Sequence, residues 1–406
     1  MRVTAVRHLL RPDLHFHGQQ TQSESLKINI WRKNLWTVYK KNVTDSIMGT
    51  TGMTTIIGIL SLTLGIVSAL YLQLPTFILS LGYGWSHNYP LKRWIFRISA
   101  LATFILFIGT NPTTFTLFAI VIPFAFFWIF SLFNANPNLL IALADNQIIK
   151  QKDRIYSDDI EIVGYTDDIG NAICYPVYEM IMPRHILNET FSDKPLLVSF
   201  CAACRSTMIY NPVIDGQRLT FEVLGVYRRN MVIRDTQTGT VWQQGTGEAM
   251  YGKLKGKQLE FYCYQQMTLK DWIKQNPNTF IAKESDNIRK SFVPKDMLMK
   301  ILKNVTEKYI ASGKTNLEGL PVREKIWGVQ LNGQSKAYPI SELKKVTEIA
   351  DNLGGMDICI KYNPNTNQIN GTVKTTNELL KFQNHWWFGW KEFHPNTEIW
   401  KEKQTK

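Results

Sequence analysis

Leu196-Leu197-Val198-Ser199-Phe200-Cys201-Ala202-Ala203-Cys204-Arg205 decides how the chain is read, because the same pattern returns later without the cysteine pair. The later stretch is Ile358-Cys359-Ile360-Lys361-Tyr362-Asn363, with Tyr362 lying 162 residues after Phe200. Working outward, Ile162-Val163-Gly164 answers to Ile326-Trp327-Gly328 at a spacing of 164, and Tyr175-Pro176 to Tyr338-Pro339 at 163. Trp272, Pro277 and Thr279 match Trp390, Pro395 and Thr397 at a constant spacing of 118. Drift by single residues is what loop changes produce, so the pattern reads as an internal duplication. Residues common to both copies are expected to be scaffold. Cys201 and Cys204, which face Asn363-Pro364-Asn365-Thr366 in the second copy, are then chemistry added to one site.

Upstream, the composition is that of a membrane protein. Residues 47–134 contain no Asp or Glu, and their only basic residues are Lys92, Arg93 and Arg97. Met53 to Leu72 is an uncharged run of 20 residues, about what roughly 30 Å of hydrocarbon requires. Trp94 to Thr110 and Phe115 to Phe133 follow, joined by the turn Asn111-Pro112-Thr113-Thr114. The expectation is about three transmembrane helices, with Arg97 snorkelling to the interface. Residues 1–46 carry eight Lys or Arg against three acids, which places the N-terminus in the cytoplasm and the rest of the chain outside. Of the net charge of +13, residues 1–134, the membrane helices with their flanks, carry +8, and the chain after position 134 only +5. That distribution excludes a nucleic-acid footprint and makes the lipid bilayer the expected partner.

The remainder reads as α+β: a β-rich duplicated soluble domain behind the N-terminal α-helical transmembrane region. Short β-branched or aromatic runs at 196–200, 207–210, 218–224, 231–235, 240–243 and 258–262 predict strands, with turns at Asp215-Gly216 and Thr238-Gly239. The helical spacing of Met297, Leu298, Ile301, Leu302, Val305 and Tyr309 predicts a linking helix. The expected organisation is a basic cytoplasmic segment at 1–46, membrane helices at 47–134, a first repeat with the CxxC at 135–290, a helical linker at 291–321 and a trimmed second repeat at 322–406. The second repeat lacks most of what corresponds to Leu219 through Glu260.

Taken in order, several separated motifs carry a family resemblance. They are Gly164 with Tyr175-Pro176, Cys201-x-x-Cys204-Arg205, Val223-Leu224-Gly225, Asn230, Asp235-x-x-Thr238-Gly239-x-x-Trp242-x-Gln244, Gly247-Glu248-Ala249, and Gln266-Met267-Thr268-Leu269-x-x-Trp272. Together they resemble the DUF3179 family over roughly residues 158–401, a family whose activity is unassigned. Some relatives carry selenocysteine in the position of the second cysteine, and the resemblance therefore implies a redox thiol at Cys204. The chain departs from the pattern at Ala202-Ala203, at Arg184-His185 where His-Glu is common, and at Tyr227-Arg228 where some members show Asp-His. Roles carried by those His and acid positions are not transferred.

The CxxC spacing itself admits a small disulfide, half of a zinc site, or a soft copper site. Structural zinc needs two further ligands, and the chain has no second CxxC and no His-x-x-x-His. A thioredoxin-like arrangement needs a helix N-terminus after the first cysteine, whereas here the motif lies between two predicted strands. The function expected is extracytoplasmic thiol–disulfide redox chemistry at Cys201 and Cys204, with Arg205 favouring the thiolate and an unidentified redox partner or thiol substrate. The alternatives are a copper, zinc or haem-type binding module at Cys201 and Cys204, and a noncatalytic binding domain with a structural disulfide. Asp235 and Glu248 read as turn-capping or solvated acids, and His385 and His394 as packed scaffold. On a redox reading the two sulfurs should lie in a concave, partly exposed position.

Overall fold

The computed structural model describes residues 51–133, 142–143, 147–181, 185–202, 204–227, 230–283 and 316–402, with Lys33, Thr37, Gly49, Met297 and Lys300. The predicted linking helix lies outside the described residues except for Met297 and Lys300, both helical. The chain divides into two compact units, one of residues 1–69 and 94–131, the other of residues 70–93 and 132–406.

In the first unit the apolar runs form helices. Two of them, Thr51–Ala69 and Thr114–Leu132, are long and apolar enough to cross a membrane. The third run belongs to the helix Tyr89–Gly109, whose first turns carry Lys92, Arg93 and Arg97 and which falls short of that apolarity. Small residues let the helices approach: a Cβ on Gly58 would lie 2.9 Å from the Phe107 ring. Phe104 and Phe124 stack with centroids 4.1 Å apart. Ile56, Ile98, Ile105, Phe118 and Ile122 each leave more than half of their surface uncovered. Arg97 does not snorkel as expected. It is buried and donates from Nε to Ser131 Oγ at 3.2 Å, because the facing helix supplies an acceptor that removes the need to reach water.

The second unit is α+β and β-rich, built of small sheets in a propeller-like arrangement. Strands Glu161–Thr166 and Ala172–Pro176 form an antiparallel pair, flanked by Gln265–Thr268 on one side and, in parallel, Phe280–Lys283 on the other. The helix Leu269–Gln275 joins the two flanking strands. Lys325–Leu331, Gln334–Pro339, Gln383–Trp386 and Glu398–Ile399 repeat this arrangement around the helix Trp387–Phe393. The register recurs residue by residue: Gly164 lies opposite Cys174 and Gly328 opposite Ala337, while Gln265 pairs with Gly164 and Gln383 with Gly328.

Each of these glycines exists to admit a tryptophan. A Cβ on Gly164 would lie 2.4 Å from the Trp272 ring, and one on Gly328 2.6 Å from Trp390. The indoles end alike, Trp272 Nε1 donating to Thr279 Oγ1 at 2.8 Å and Trp390 Nε1 to Thr397 Oγ1 at 2.9 Å. The companion three-strand meanders also correspond. Ile186–Phe191, Lys194–Cys201 and Ser206–Asn211 match Glu348–Leu353, Met356–Asn363 and Gln368–Val373, with Phe200 opposite Thr207 and Tyr362 opposite Ile369. Tyr175 donates its hydroxyl to Glu189, and Tyr338 to Asp351 at 2.8 Å. One large apolar cluster runs through both halves, including Tyr175, Phe200, Trp327, Tyr338 and Tyr362.

The halves differ in one large element. Among the described residues, the first half alone carries a four-stranded sheet of Phe221–Tyr227, Asn230–Asp235, Val241–Gln243 and Ala249–Tyr251. Both predicted turns occur, with positive φ at Asp215, Gly216 and Gly239. Asn188 ties this sheet to the meander, accepting from Phe221 N at 2.7 Å and donating to Phe221 O at 2.8 Å.

Candidate functional site

Cys201 ends one meander strand, and Ser206 opens the next directly opposite it. The intervening turn closes through Arg205, whose φ of 56° is the left-handed conformation a tight reversal needs. The turn places Cys204 on the inside, where the expected exposure is not found: Cys201 is 2% exposed and Cys204 fully buried. Neither forms a disulfide. The reason is tertiary, since the start of the helix Trp387–Phe393 covers the turn. Trp386 N donates to Cys204 O at 3.1 Å, and a Cβ on Gly389 would lie 2.8 Å from Cys204 Cβ.

Polar groups converge on the Cys204 sulfur inside this otherwise apolar cluster. Asn230 Nδ2 donates to Sγ at 2.8 Å, and Ser206 Oγ lies 3.1 Å from it. Ser206 Oγ in turn donates to Gln244 Oε1 at 2.9 Å, and Gln244 Nε2 donates to Ser199 Oγ at 3.0 Å. Asn230 is held by its own oxygen, which accepts from Gln243 Nε2 at 2.9 Å and Gly245 N at 3.0 Å. Tyr83 donates its hydroxyl to Gln243 Oε1, so hydrogen bonds run Tyr83, Gln243, Asn230, Cys204. Trp242 anchors the neighbouring strand by donating from Nε1 to Asp235 Oδ2 at 2.9 Å.

Burial first, and then the adjacent Cys201 thiol, push the Cys204 thiol well above its ordinary range, while Ser206 and Asn230 pull it down. Desolvation dominates in the closed structure. The cage nonetheless supplies what a thiolate needs once it forms, namely fixed donors that require no reorganisation.

Arg205 is directed away from this role. Its guanidinium pairs with Glu161, which also meets Lys325 Nζ at 3.4 Å and accepts from Gln266 Nε2 at 2.9 Å. Glu161 is pushed up by burial, but Arg205, Lys325 and Gln266 outweigh that and hold it below the usual carboxylate range. The remaining sequence candidates are scaffold in place. Asp235 caps the turn at Thr238. His385 and His394 both pack against Trp390, with ring centroids 5.5 and 3.8 Å from it. His185 bonds Phe200 O at 3.0 Å, while Arg184 and Arg228 lie outside the described residues.

Among the described residues, no group of three or more His, Cys, Asp or Glu is placed to hold a metal ion. Of the residues around the sulfur, Asn230 and Gln244 stand in the motifs quoted from the sequence, whereas Ser206 does not. Trp386 and Gly389, from the far half, carried no signal beside the CxxC. In the second half the matching turn is occupied differently: Asn363 Oδ1 accepts from Asn365 N at 3.0 Å, an exposed side-chain-capped turn with no thiol.

A family model described as a protein of unknown function (DUF3179) matches residues 144–379. No curated protein and no solved structure matches the chain.

Proposed function

The chain belongs to the DUF3179 family, whose model covers more than half of it, and on that premise we propose a membrane-anchored protein that carries out thiol–disulfide exchange through Cys201 and Cys204. The observation that carries the reading is the amide donor of Asn230 at 2.8 Å from Cys204 Sγ, backed by Ser206 and Gln244. Three polar side chains ordered around one sulfur in an apolar cluster are costly to bury unless they serve the sulfur. In the reaction a cysteine thiolate attacks a substrate disulfide, forming a mixed disulfide and releasing one substrate thiolate. The second cysteine, losing its proton, attacks the protein sulfur of that intermediate and releases the other substrate thiolate. The dithiol is oxidised by two electrons and the substrate disulfide is reduced. Because both sulfurs are covered, exchange proceeds from a locally opened state in which the Gly389 end of the helix lifts from the turn.

The scaffold is read as a duplicated unit. Its support is the shared register, the paired Gly–Trp contacts and the paired Tyr–carboxylate bonds in the two halves.

The membrane reading takes the two long apolar helices and the 21-residue Tyr89–Gly109 as three crossings with the sheets outside the cytoplasm. Parity supports it. Residues 70–93 pack on the sheet domain, Tyr83 meeting Tyr227 at 4.4 Å between centroids and a Cβ on Gly225 reaching 2.9 Å from Leu72 O. Segment and domain must therefore share a side, and the crossings between them must be even in number. The basic N-terminal 46 residues then set the side.

The test uses the full chain in detergent micelles with an aromatic disulfide that releases a coloured thiolate. In a background with Cys263 and Cys359 replaced by Ser, protein reduced beforehand should release two equivalents, and the further change Cys201→Ser or Cys204→Ser should leave one or none. Unchanged release in both variants would rule the site out. A second reading, a structural thiol pair, is favoured by the burial of both sulfurs; it predicts no release without denaturant and loss of stability alone in the variants.

A further inference from the structure

Residues 70–93, which follow the helix Thr51–Ala69 and run into the helix Tyr89–Gly109, belong to the compact unit of the sheets. They fold as a clamped loop. Tyr71 Oη donates to Trp85 O at 2.9 Å, Trp85 Nε1 donates to Tyr71 O at 2.8 Å, and the two rings stack with centroids 4.5 Å apart. Within the loop the short helix Gly82–Ser86 lies on the four-stranded sheet. Tyr83 meets the Tyr227 ring edge-on, and Gly84 lets the Tyr251 ring approach, since a Cβ there would lie 3.1 Å from it. Held in this way, the loop delivers the Tyr83 hydroxyl to Gln243 Oε1. Tyr83 lies outside residues 144–379, the stretch that the family model matches.

That hydroxyl matters because a carboxamide has one accepting end and one donating end, and a neighbour that occupies one end decides where the other points. Gln243 is 2% exposed; with its oxygen taken by Tyr83, its Nε2 donates to Asn230 Oδ1 at 2.9 Å. Asn230 is fully buried and is thereby held with Nδ2 towards Cys204 Sγ at 2.8 Å, Ser206 Oγ at 3.0 Å and Gln244 Oε1 at 3.1 Å. Gly245 N assists by donating to the same Asn230 oxygen at 3.0 Å. Without the Tyr83 hydroxyl, Gln243 Oε1 is a buried acceptor that has lost its donor. Any rotation that finds it another withdraws Nε2 from Asn230, which is then held by Gly245 alone. Neither amide titrates, so the path from Tyr83 to the sulfur acts by orientation.

We propose that Tyr83 is a positioning residue of the thiol site: from the loop between two N-terminal helices it sets, through Gln243, the direction of the Asn230 amide that stabilises a Cys204 thiolate. The thiol site is then completed by a segment outside the family-matched residues, and drawing that loop off the sheet weakens the donor to the sulfur. The consequence for exchange rests on the thiol–disulfide reading above, whereas the orientation of the amides does not.

The experiment follows iodoacetamide labelling of Cys204 against pH, read by mass spectrometry, on the full chain in detergent micelles. Tyr83→Phe keeps the ring against Tyr227 and removes the hydroxyl alone. Its profile should move up by about half a pH unit, which is about threefold slower labelling at a fixed pH below the midpoint. Among the described residues, the titratable group acting on this sulfur is the Cys201 thiol; the helix Trp387–Phe393 and the sheet bring Gly389, Asn230 and Gln244, none of which ionises. In the Asn230→Ala background the same change at Tyr83 should move nothing further, because the path it works through is gone. Cys174, in a separate apolar cluster beside Trp272, should label alike with and without the hydroxyl. No shift in Tyr83→Phe, an equal shift in the Asn230→Ala background, or a matching change at Cys174 would each overturn the proposal, the last two by showing a general loosening. Labelling reports on Cys204 whether or not the protein exchanges disulfides. A coupled shift without colour release therefore supports Tyr83 and removes only the exchange reading, while release without a shift removes Tyr83 alone.

Discussion

Glu161 and Lys325 occupy the same position in the two halves and face each other, Lys325 Nζ lying 3.4 Å from Glu161 Oε1. Residues at matching register positions of the two sheets are thus in direct contact. The consequence reaches the thiols: the Cys201–Arg205 turn of one half is covered by the helix of the other, and Asn367 of the second half's matching turn donates to Gln266 O of the first at 3.2 Å.

Glu161 is the hub of that junction, so its removal leaves Arg205 and Lys325 facing each other without an anion. Glu161→Gln should cost about 2 kcal/mol in urea unfolding, and Lys325→Met under about 1, since Arg205 still satisfies the carboxylate. Because the carboxyl is held below its ordinary value, this contribution is present above the unfolded-state value near 4.5 and disappears as pH falls through the lower folded one. Equal costs for the two variants would contradict the hub.

The glycine–tryptophan contacts predict matched penalties. Gly164→Ala and Gly328→Ala should each destabilise by about 1–3 kcal/mol or more through overpacking, as there is no room for a Cβ at 2.4 and 2.6 Å from the indoles. A smaller ring at Trp272 should recover part of the loss in Gly164→Ala and none in Gly328→Ala. Thermal melts of the double variants measure this.

Asn230→Ala removes the donor to Cys204 Sγ and strands the Gln243 and Gly245 donors. Stability should fall by about 2–3 kcal/mol. The rate of alkylation at Cys204, followed against pH under conditions that open the site, should require higher pH than in the wild type. A profile that does not move would mean the amide does not act on the thiol.

Buried histidines predict acid sensitivity. Burial holds His385 down at about 3, and His185 and His394 at about 4, against 6.5 when unfolded. The unfolded chain therefore binds more protons between those values. Stability should be full above about pH 6.5 and fall towards pH 4, by at most about 1.4 kcal/mol per pH unit for each histidine. His394→Gln should flatten the slope; an unchanged slope would remove His394 from the account.

Much was legible in the chain. The strand runs around Leu196–Phe200 and Met231–Asp235, the Asp215-Gly216 and Thr238-Gly239 turns, and the turn-capping role of Asp235 all follow from local periodicity and turn chemistry. Such signals survive because neighbours a few residues apart set them. The count of strongly apolar helices was legible only in part, since the charges of Tyr89–Gly109 acquire partners across space, as Arg97 does from Ser131.

By itself, then, the sequence determined the β-rich architecture and the presence of a thiol pair. Tertiary structure alone decided that the pair is buried, that Asn230 and not Arg205 meets the sulfur, and that Arg205 serves Glu161 instead. The physical reason is that burial and hydrogen-bond partnership belong to contacts between segments far apart in the chain. Gly389 lies 185 positions from Cys204 and carries no local mark of the contact it makes.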